Sequence, residues 1–230
     1  MTVLATLRAG VLSVAVLACA RAESRPANPA SHSAAAPSAS PAATDSTSRL
    51  ADRGRTLGDP SATLWVVMIS DFQCPYCKQW HDESFATVRD AYVKTGKVRL
   101  AFLNLPLSMH PNARPAAEAA MCASAQGRFW EMHDALFVEQ ARWAAAADPS
   151  SVLDSIATAS GVDASRMRAC VKSGAVAALV DQDVHRANAA GTAATPSFVI
   201  GDQLVKGAVP VAELRAAIDA ALAKAPPARR

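Results

Sequence analysis

The sequence predicts an α/β domain in which a strand–helix–strand unit and a closing hairpin–helix unit are separated by an all-helical insertion. Three observations carry this expectation. A continuous apolar run, Leu64 to Ile69, is followed by a helical pattern and then by a second apolar run, Val98 to Leu103. An Ala-rich, helix-patterned stretch fills about 110–190, and strand character returns only beyond it. The 230 residues are 51% hydrophobic, enough for one domain of ordinary size plus some chain that does not pack.

The chain opens with one positive charge within Met1 to Arg8 and an uncharged apolar stretch from Ala9 to Ala18, the shape of a signal peptide over residues 1–20. The stretch is well short of the ~20 residues that cross a bilayer. Ala18-Cys19-Ala20 fits ordinary signal peptidase, whereas Val16-Leu17-Ala18-Cys19 resembles a bacterial lipobox that makes Cys19 a lipid-bearing first residue. Residues 21–49 read as a disordered Ala/Ser/Pro linker, because Glu23 to Ser48 holds no aromatic residue and no Val, Ile, Leu or Met to bury. The folded domain is expected over 50–224, with a disordered tail at 225–230.

Within that domain, Leu64 to Ile69 lies between Pro60 and Ser70-Asp71 and reads as a central strand buried on both faces. From Pro75 to about Thr95, Trp80, Phe85, Val88 and Tyr92 recur at helix-like spacing, and Gly96 ends the pattern. Val98 to Leu103 is the second strand. Breaks at Gly127, Asp148-Pro149, Gly161 and Gly174 divide the insertion into four or five short helices. Ser197 to Ile200, Gly201-Asp202 and Gln203 to Lys206 read as a hairpin, and Val211 to about Leu222 as a final amphipathic helix. A net charge of +3 from 23 basic and 20 acidic residues supplies no footprint for nucleic acid.

Chemistry concentrates in Cys74-Pro75-Tyr76-Cys77, where the buried strand gives way to the helix. Pro75 suits the first helical position, since its missing N–H has no partner to lose there. Cys74 then caps the helix over free N–H groups and the positive end of the helix dipole, which favours its thiolate. Cysteines three apart on one helix face have Cβ atoms about 5–6 Å apart, whereas a relaxed disulfide wants about 3.8 Å, so the bridge closes under strain. An exposed, strained bridge around so small a loop is labile rather than structural, with Cys74 attacking and Cys77 resolving. The competing reading is a zinc half-site of Cys74, Cys77 and His81; it lacks a second Cys-x-x-Cys pair. Haem attachment fails because Lys78 stands where a histidine is required. His110, His133 and His185 have no metal spacing and are assigned no chemistry.

Once Cys19 and the active pair are set aside, Cys122 and Cys170 remain. In an oxidising compartment this even pair is expected to close a structural disulfide, the alternative being two plain buried thiols.

The segment Ser70-Asp71-Phe72-Gln73-Cys74-Pro75-Tyr76-Cys77 resembles the active-site region of the DsbA-like thiol:disulfide oxidoreductases of the thioredoxin superfamily. Leu57-Gly58-Asp59-Pro60, His110-Pro111-Asn112-Ala113, Gln126 to His133 and Thr195-Pro196-Ser197-Phe198 match further pieces in order, so the resemblance covers about Leu57 to Ala223. It implies a thioredoxin fold with a helical insertion and a cis proline at Pro196. It also implies a substrate chain pairing with the backbone of Thr195, beside Pro196. The family often places a buried acid on the central strand six residues before the first cysteine; Met68 stands there, and Asp71 is poorly placed to replace it, which implies slower or water-mediated proton transfer at Cys77.

The resulting expectation is an exported protein of the periplasm or envelope, free or lipid-anchored, monomeric and needing no dissociable cofactor. It would exchange disulfides with cysteine-containing proteins and be reset by a redox partner. Oxidation is the favoured direction, with isomerase and reductase open. The alternative from another class is a non-catalytic chaperone-like or metal-carrying module.

Overall fold

The computed structural model describes residues 41–225. The predicted signal peptide with Cys19, residues 21–40 of the linker and residues 226–230 of the tail lie outside the described residues.

Helix α1 spans Pro41–Gly54 and corrects the expected linker, which does not continue to residue 49. Its polar, small-residue sequence hides the packing, because hydrogen bonds and close backbone approach join the burial of a single small residue, Ala51. Ser48 Oγ donates to the Ala175 carbonyl and Ser124 Oγ to the Ala51 carbonyl, each at 2.6 Å. A Cβ on Gly54 would meet the Ser124 carbonyl oxygen at 2.7 Å, so only glycine lets α1 lie this close to the insertion.

A five-stranded sheet follows, in the order β1-β3-β2-β4-β5. Strand β1 (Thr56–Leu57), absent from the sequence expectation, pairs antiparallel with β3 (Val98–Asn104) at the edge. Central β2 (Leu64–Ser70) runs parallel to β3 and antiparallel to β4 (Ser197–Ile200), which turns into β5 (Gln203–Lys206). Met68 thus lies opposite Phe102 on one side and Phe198 on the other.

Between β2 and β3 the helical segment is α2 (Pro75–Trp80), a π turn (His81–Phe85), α3 (Ala86–Val88) and a second π turn (Arg89–Val93). The π turns explain the apolar pattern. The five-residue step from Trp80 to Phe85 would swing the second ring about 140° away on a regular α-helix, but an i→i+5 turn returns it to the same face. Trp80, Phe85, Val88 and Tyr92 are all buried.

The insertion contains six helices rather than four or five: α4 (Ala113–Ser124), α5 (Phe129–Val138), α6 (Gln140–Trp143), α7 (Ser150–Ala159), α8 (Ala164–Lys172) and α9 (Ala177–Ala189). The extra element is four-residue α6, too short to leave a periodic signature. Helix α10 (Val211–Leu222) closes the chain over the sheet. A buried ion pair joins Arg55 to Asp183 of α9, and Asp183 also accepts from the backbone N–H (3.1 Å) and side-chain amide (2.8 Å) of Asn104 on β3. Cys122 of α4 and Cys170 of α8 are disulfide-bonded, with their Cα atoms 5.9 Å apart.

Candidate active site

The end of β2 and the start of α2 present the two thiols. Cys74 is the N-cap of α2, with φ −68° and ψ 125°, and Pro75 opens the helix. Both cysteines are free thiols. The expectation of an exposed pair is corrected: Cys74 is 3% and Cys77 1% accessible, while Tyr76 between them is 63% exposed. The loop ahead of β4 meets the Cys74 sulfur and the insertion meets the Cys74 backbone, while the dipeptide stays at the surface.

That loop brings Thr195 against the pair. Cys74 Sγ donates to the Thr195 carbonyl at 3.6 Å, and the Thr195–Pro196 peptide bond is cis. Thr192 Oγ1 and Ser197 Oγ pair at 2.9 Å beneath the loop, Ser197 Oγ donates to the Ala194 carbonyl at 2.8 Å, and the Gly207 N–H donates to the Pro196 carbonyl at 2.8 Å. The Thr195 hydroxyl is buried without a hydrogen-bond partner among the described residues, so it is free to turn toward a thiolate.

The two thiols are driven apart electrostatically. Cys74 is lowered from 9.0 to about 6, chiefly by the hydrogen bond from Cys77. Thr195 and the backbone N–H groups of Cys77 and Tyr76 add to this, against the opposing effect of burial. Cys77 is raised well above the ordinary thiol value by burial first, then by the hydrogen bond and negative charge of Cys74. The Ser70 hydroxyl and the Asp71 backbone N–H pull it back. Cys74 is thereby the thiol that ionises first and Cys77 the one that holds its proton, which is the division that disulfide exchange needs.

Met68, at the position where the resembling family often carries an acid, is 1% exposed and packs in the core. Ser70 lies two residues further along β2 and therefore on the same face, nearer the helix start. The sequence reading missed it because serine at a strand end has no distinguishing pattern. Asp71 is committed elsewhere: its carboxylate accepts from the N–H groups of Gln73 (2.7 Å) and Leu107 (2.9 Å) and pairs with His110 Nδ1 at 2.7 Å. His110, assigned no chemistry from sequence, thus anchors the loop before α4.

The zinc reading of Cys74, Cys77 and His81 does not assemble. His81 is held by Asp82 at 3.0 Å and by Asp134 at 3.2 Å. Among the described residues, the group with metal-like proximity is instead His81, His133 and Asp134. Asp134 Oδ1 already pairs with both imidazoles, His133 at 2.8 Å, and Arg89 lies 3.9 Å from its other oxygen, so hydrogen bonding and charge account for the cluster. Burial lowers the His133 pKa to about 4 and keeps the ring neutral among Phe72, Phe102, Phe129 and Phe137.

Residues 50–220 match the protein-family model described as thioredoxin. The chain belongs to the thioredoxin family. A thioredoxin-like oxidoreductase from Silicibacter pomeroyi is 30% identical, with a TM-score of 0.63 over 79% of this chain and 98% of that one. Oxidised BdbD from Bacillus subtilis shares the fold, with a TM-score of 0.67 at 23% identity over 74% of this chain and 94% of that one. Among curated proteins, the Na(+)/H(+) antiporter NhaA 3 of Salinispora tropica is 35% identical over 76% of this chain but only 26% of its own length. The chain thus spans about a quarter of that relative. Among the described residues, no helix of this thioredoxin-family chain is long and apolar enough to cross a membrane.

Proposed function

We propose that the protein is a DsbA-like thiol:disulfide oxidoreductase that acts outside the cytoplasm in the oxidising direction, on cysteine-containing proteins. The observation that carries this reading is the opposed environment of the two thiols, with Cys74 lowered to about 6 and Cys77 raised. At pH 7 a thiol of that pKa is about nine-tenths thiolate, whereas an ordinary one is about one-hundredth. The dithiol form therefore gains on the order of 1 kcal/mol, or a few tens of millivolts, which makes the disulfide form the stronger oxidant.

In the oxidised protein, a substrate thiolate attacks Cys74 Sγ, and the Cys74–Cys77 bond breaks as a substrate–Cys74 disulfide forms. Cys77 leaves and takes a proton. A second substrate thiolate then attacks the substrate sulfur and expels Cys74 as the stabilised thiolate. The substrate dithiol has lost two electrons and two protons; the protein has gained the electrons and one proton, on Cys77, the other proton passes to water, and an oxidising partner must take the electrons away again. Thr195 and Pro196 form the edge on which an extended substrate chain pairs, consistent with the Thr195 carbonyl standing at the sulfur.

Export follows from the leader at 1–20, with Cys19 either lipid-bearing or removed, and the domain works as a monomer. Equilibration with glutathione buffers, read by thiolate absorbance in the ultraviolet, tests the direction. A potential well above that of glutathione supports an oxidase, and one near the thioredoxin value of about −270 mV overturns it in favour of a reductase. Full activity in Cys74→Ser would overturn the enzyme reading in favour of a binding module. Release of the protein from membranes by Cys19→Ser would identify lipid anchoring.

A further inference from the structure

We infer that Gln140 is a positioning residue for the active-site thiol: its side-chain amide, supplied by the helical insertion, holds the backbone carbonyls on either side of the strand-to-helix turn and so fixes the conformation from which Cys74 presents its sulfur. The inference deepens the reading of Cys74 and Cys77 as a disulfide-exchanging pair and rests on it.

Gln140 begins α6 and is buried. Its Nε2 donates to the Phe72 carbonyl at 2.7 Å and to the Cys74 carbonyl at 3.1 Å. An amide nitrogen has two hydrogens, and both are used here. Two carbonyl acceptors also dictate the orientation of the amide, since its oxygen in that place would face two other oxygens. The Cys74 carbonyl accepts a second bond from the Lys78 N–H at 3.1 Å, the opening bond of α2, and the Cys74 N–H donates to the Asp71 carbonyl at 3.1 Å. The peptide groups on either side of Cys74 are therefore pinned. Of these partners, Gln140 alone comes from the insertion.

The anchor is itself rigid. Trp143 Nε1 donates to the Leu136 carbonyl at 2.9 Å, and Asn112 Nδ2 donates to the carbonyls of Trp143 (3.1 Å), Ala144 (3.2 Å) and Ala146 (2.8 Å). The ψ angle of Cys74 decides where Sγ stands relative to the N–H groups of Tyr76 and Cys77, which stabilise its charged form. A donor fixed on the Cys74 carbonyl holds that angle without adding a charge near the thiolate.

The test is an ultraviolet titration of the thiolate in the reduced full chain, alongside thermal unfolding. Gln140→Leu removes both donors at similar volume. Its Cys74 titration is expected to rise by about one pH unit, so that the thiolate fraction at pH 6 falls about fivefold. Gln140→Glu, which sets acceptors against the two carbonyls, should move it the same way and gives a reading if the leucine variant does not fold. Ser124→Ala, which loosens α1 against α4 away from the site, is expected to lower the melting temperature and leave the titration in place. The inference is overturned if both Gln140 variants titrate like the wild type, or if Ser124→Ala shifts Cys74 as far as they do. If the wild type itself titrates as an ordinary cysteine and fails to exchange with glutathione, the functional reading fails instead.

Discussion

The sulfur of Cys74 stands 3.6 Å from the carbonyl oxygen of Thr195, which lies 121 positions further along the chain. The contact joins the helix start that carries the thiols to the loop that leads into β4. It places a backbone acceptor beside the Cys74 sulfur, on a residue whose hydroxyl is buried.

Thr195→Val keeps the shape of the loop and removes the hydroxyl that helps lower Cys74. The Cys74 titration midpoint should rise from about 6 toward the ordinary thiol value, with a smaller rise than any variant that removes the Cys77 hydrogen bond. Thiolate absorbance against pH measures both.

Ser70→Ala removes a group that holds Cys77 down, so its thiol should become still harder to ionise. Resolution of a mixed disulfide trapped on Cys74 should slow, and its pH–rate profile should move to higher pH. Met68→Glu puts a carboxyl on the same face of β2. We expect faster resolution together with lower stability, and that stability should fall further as pH rises, because a buried carboxyl titrates above its unfolded value.

Cys74 is an acid whose folded pKa is depressed, so it stabilises the reduced protein above its folded value of about 6, increasingly up to the ordinary 9.0, and loses that effect as pH falls through 6. Comparing melting temperatures of the reduced and oxidised forms at pH 5 and pH 8 should show the reduced form gaining on the oxidised one at the higher pH. Cys74→Ser, which cannot form the bridge, should have a melting temperature that lacks the rise the reduced wild type shows between pH 5 and pH 8.

The Cys122–Cys170 bond closes a loop of 48 positions, for which the chain-entropy relation assigns about 4 kcal/mol. Replacing both residues by alanine should lower denaturation stability by roughly that amount. The Cys74 titration should stay unchanged, since the bond joins α4 to α8 away from the active pair.

Asp183→Ala leaves the buried Arg55 guanidinium without its buried partner and frees the two Asn104 donors. Breaking one side of a buried ion pair costs about 3–5 kcal/mol, so urea denaturation should place this variant among the least stable single substitutions in the domain.

The sequence by itself determined the elements whose signals are local. The apolar run of β2, the hairpin of β4 and β5, and Pro75 behind a capping cysteine each follow from side-chain period or backbone geometry within a few residues. The placement of Cys74 and Cys77 at the strand-to-helix junction was legible for the same reason. Tertiary structure alone decided what depends on partners far along the chain. Polar α1 docks through hydrogen bonds from Ser48 and Ser124 and the burial of one small residue, Ala51, which leaves no apolar periodicity to read. The π turns exist so that Trp80 and Phe85 meet one core. Ser70 and Gln140 stand near the thiols through an ordinary hydroxyl or amide whose role is set by its position, and no residue type or spacing marks such a position before the chain has folded.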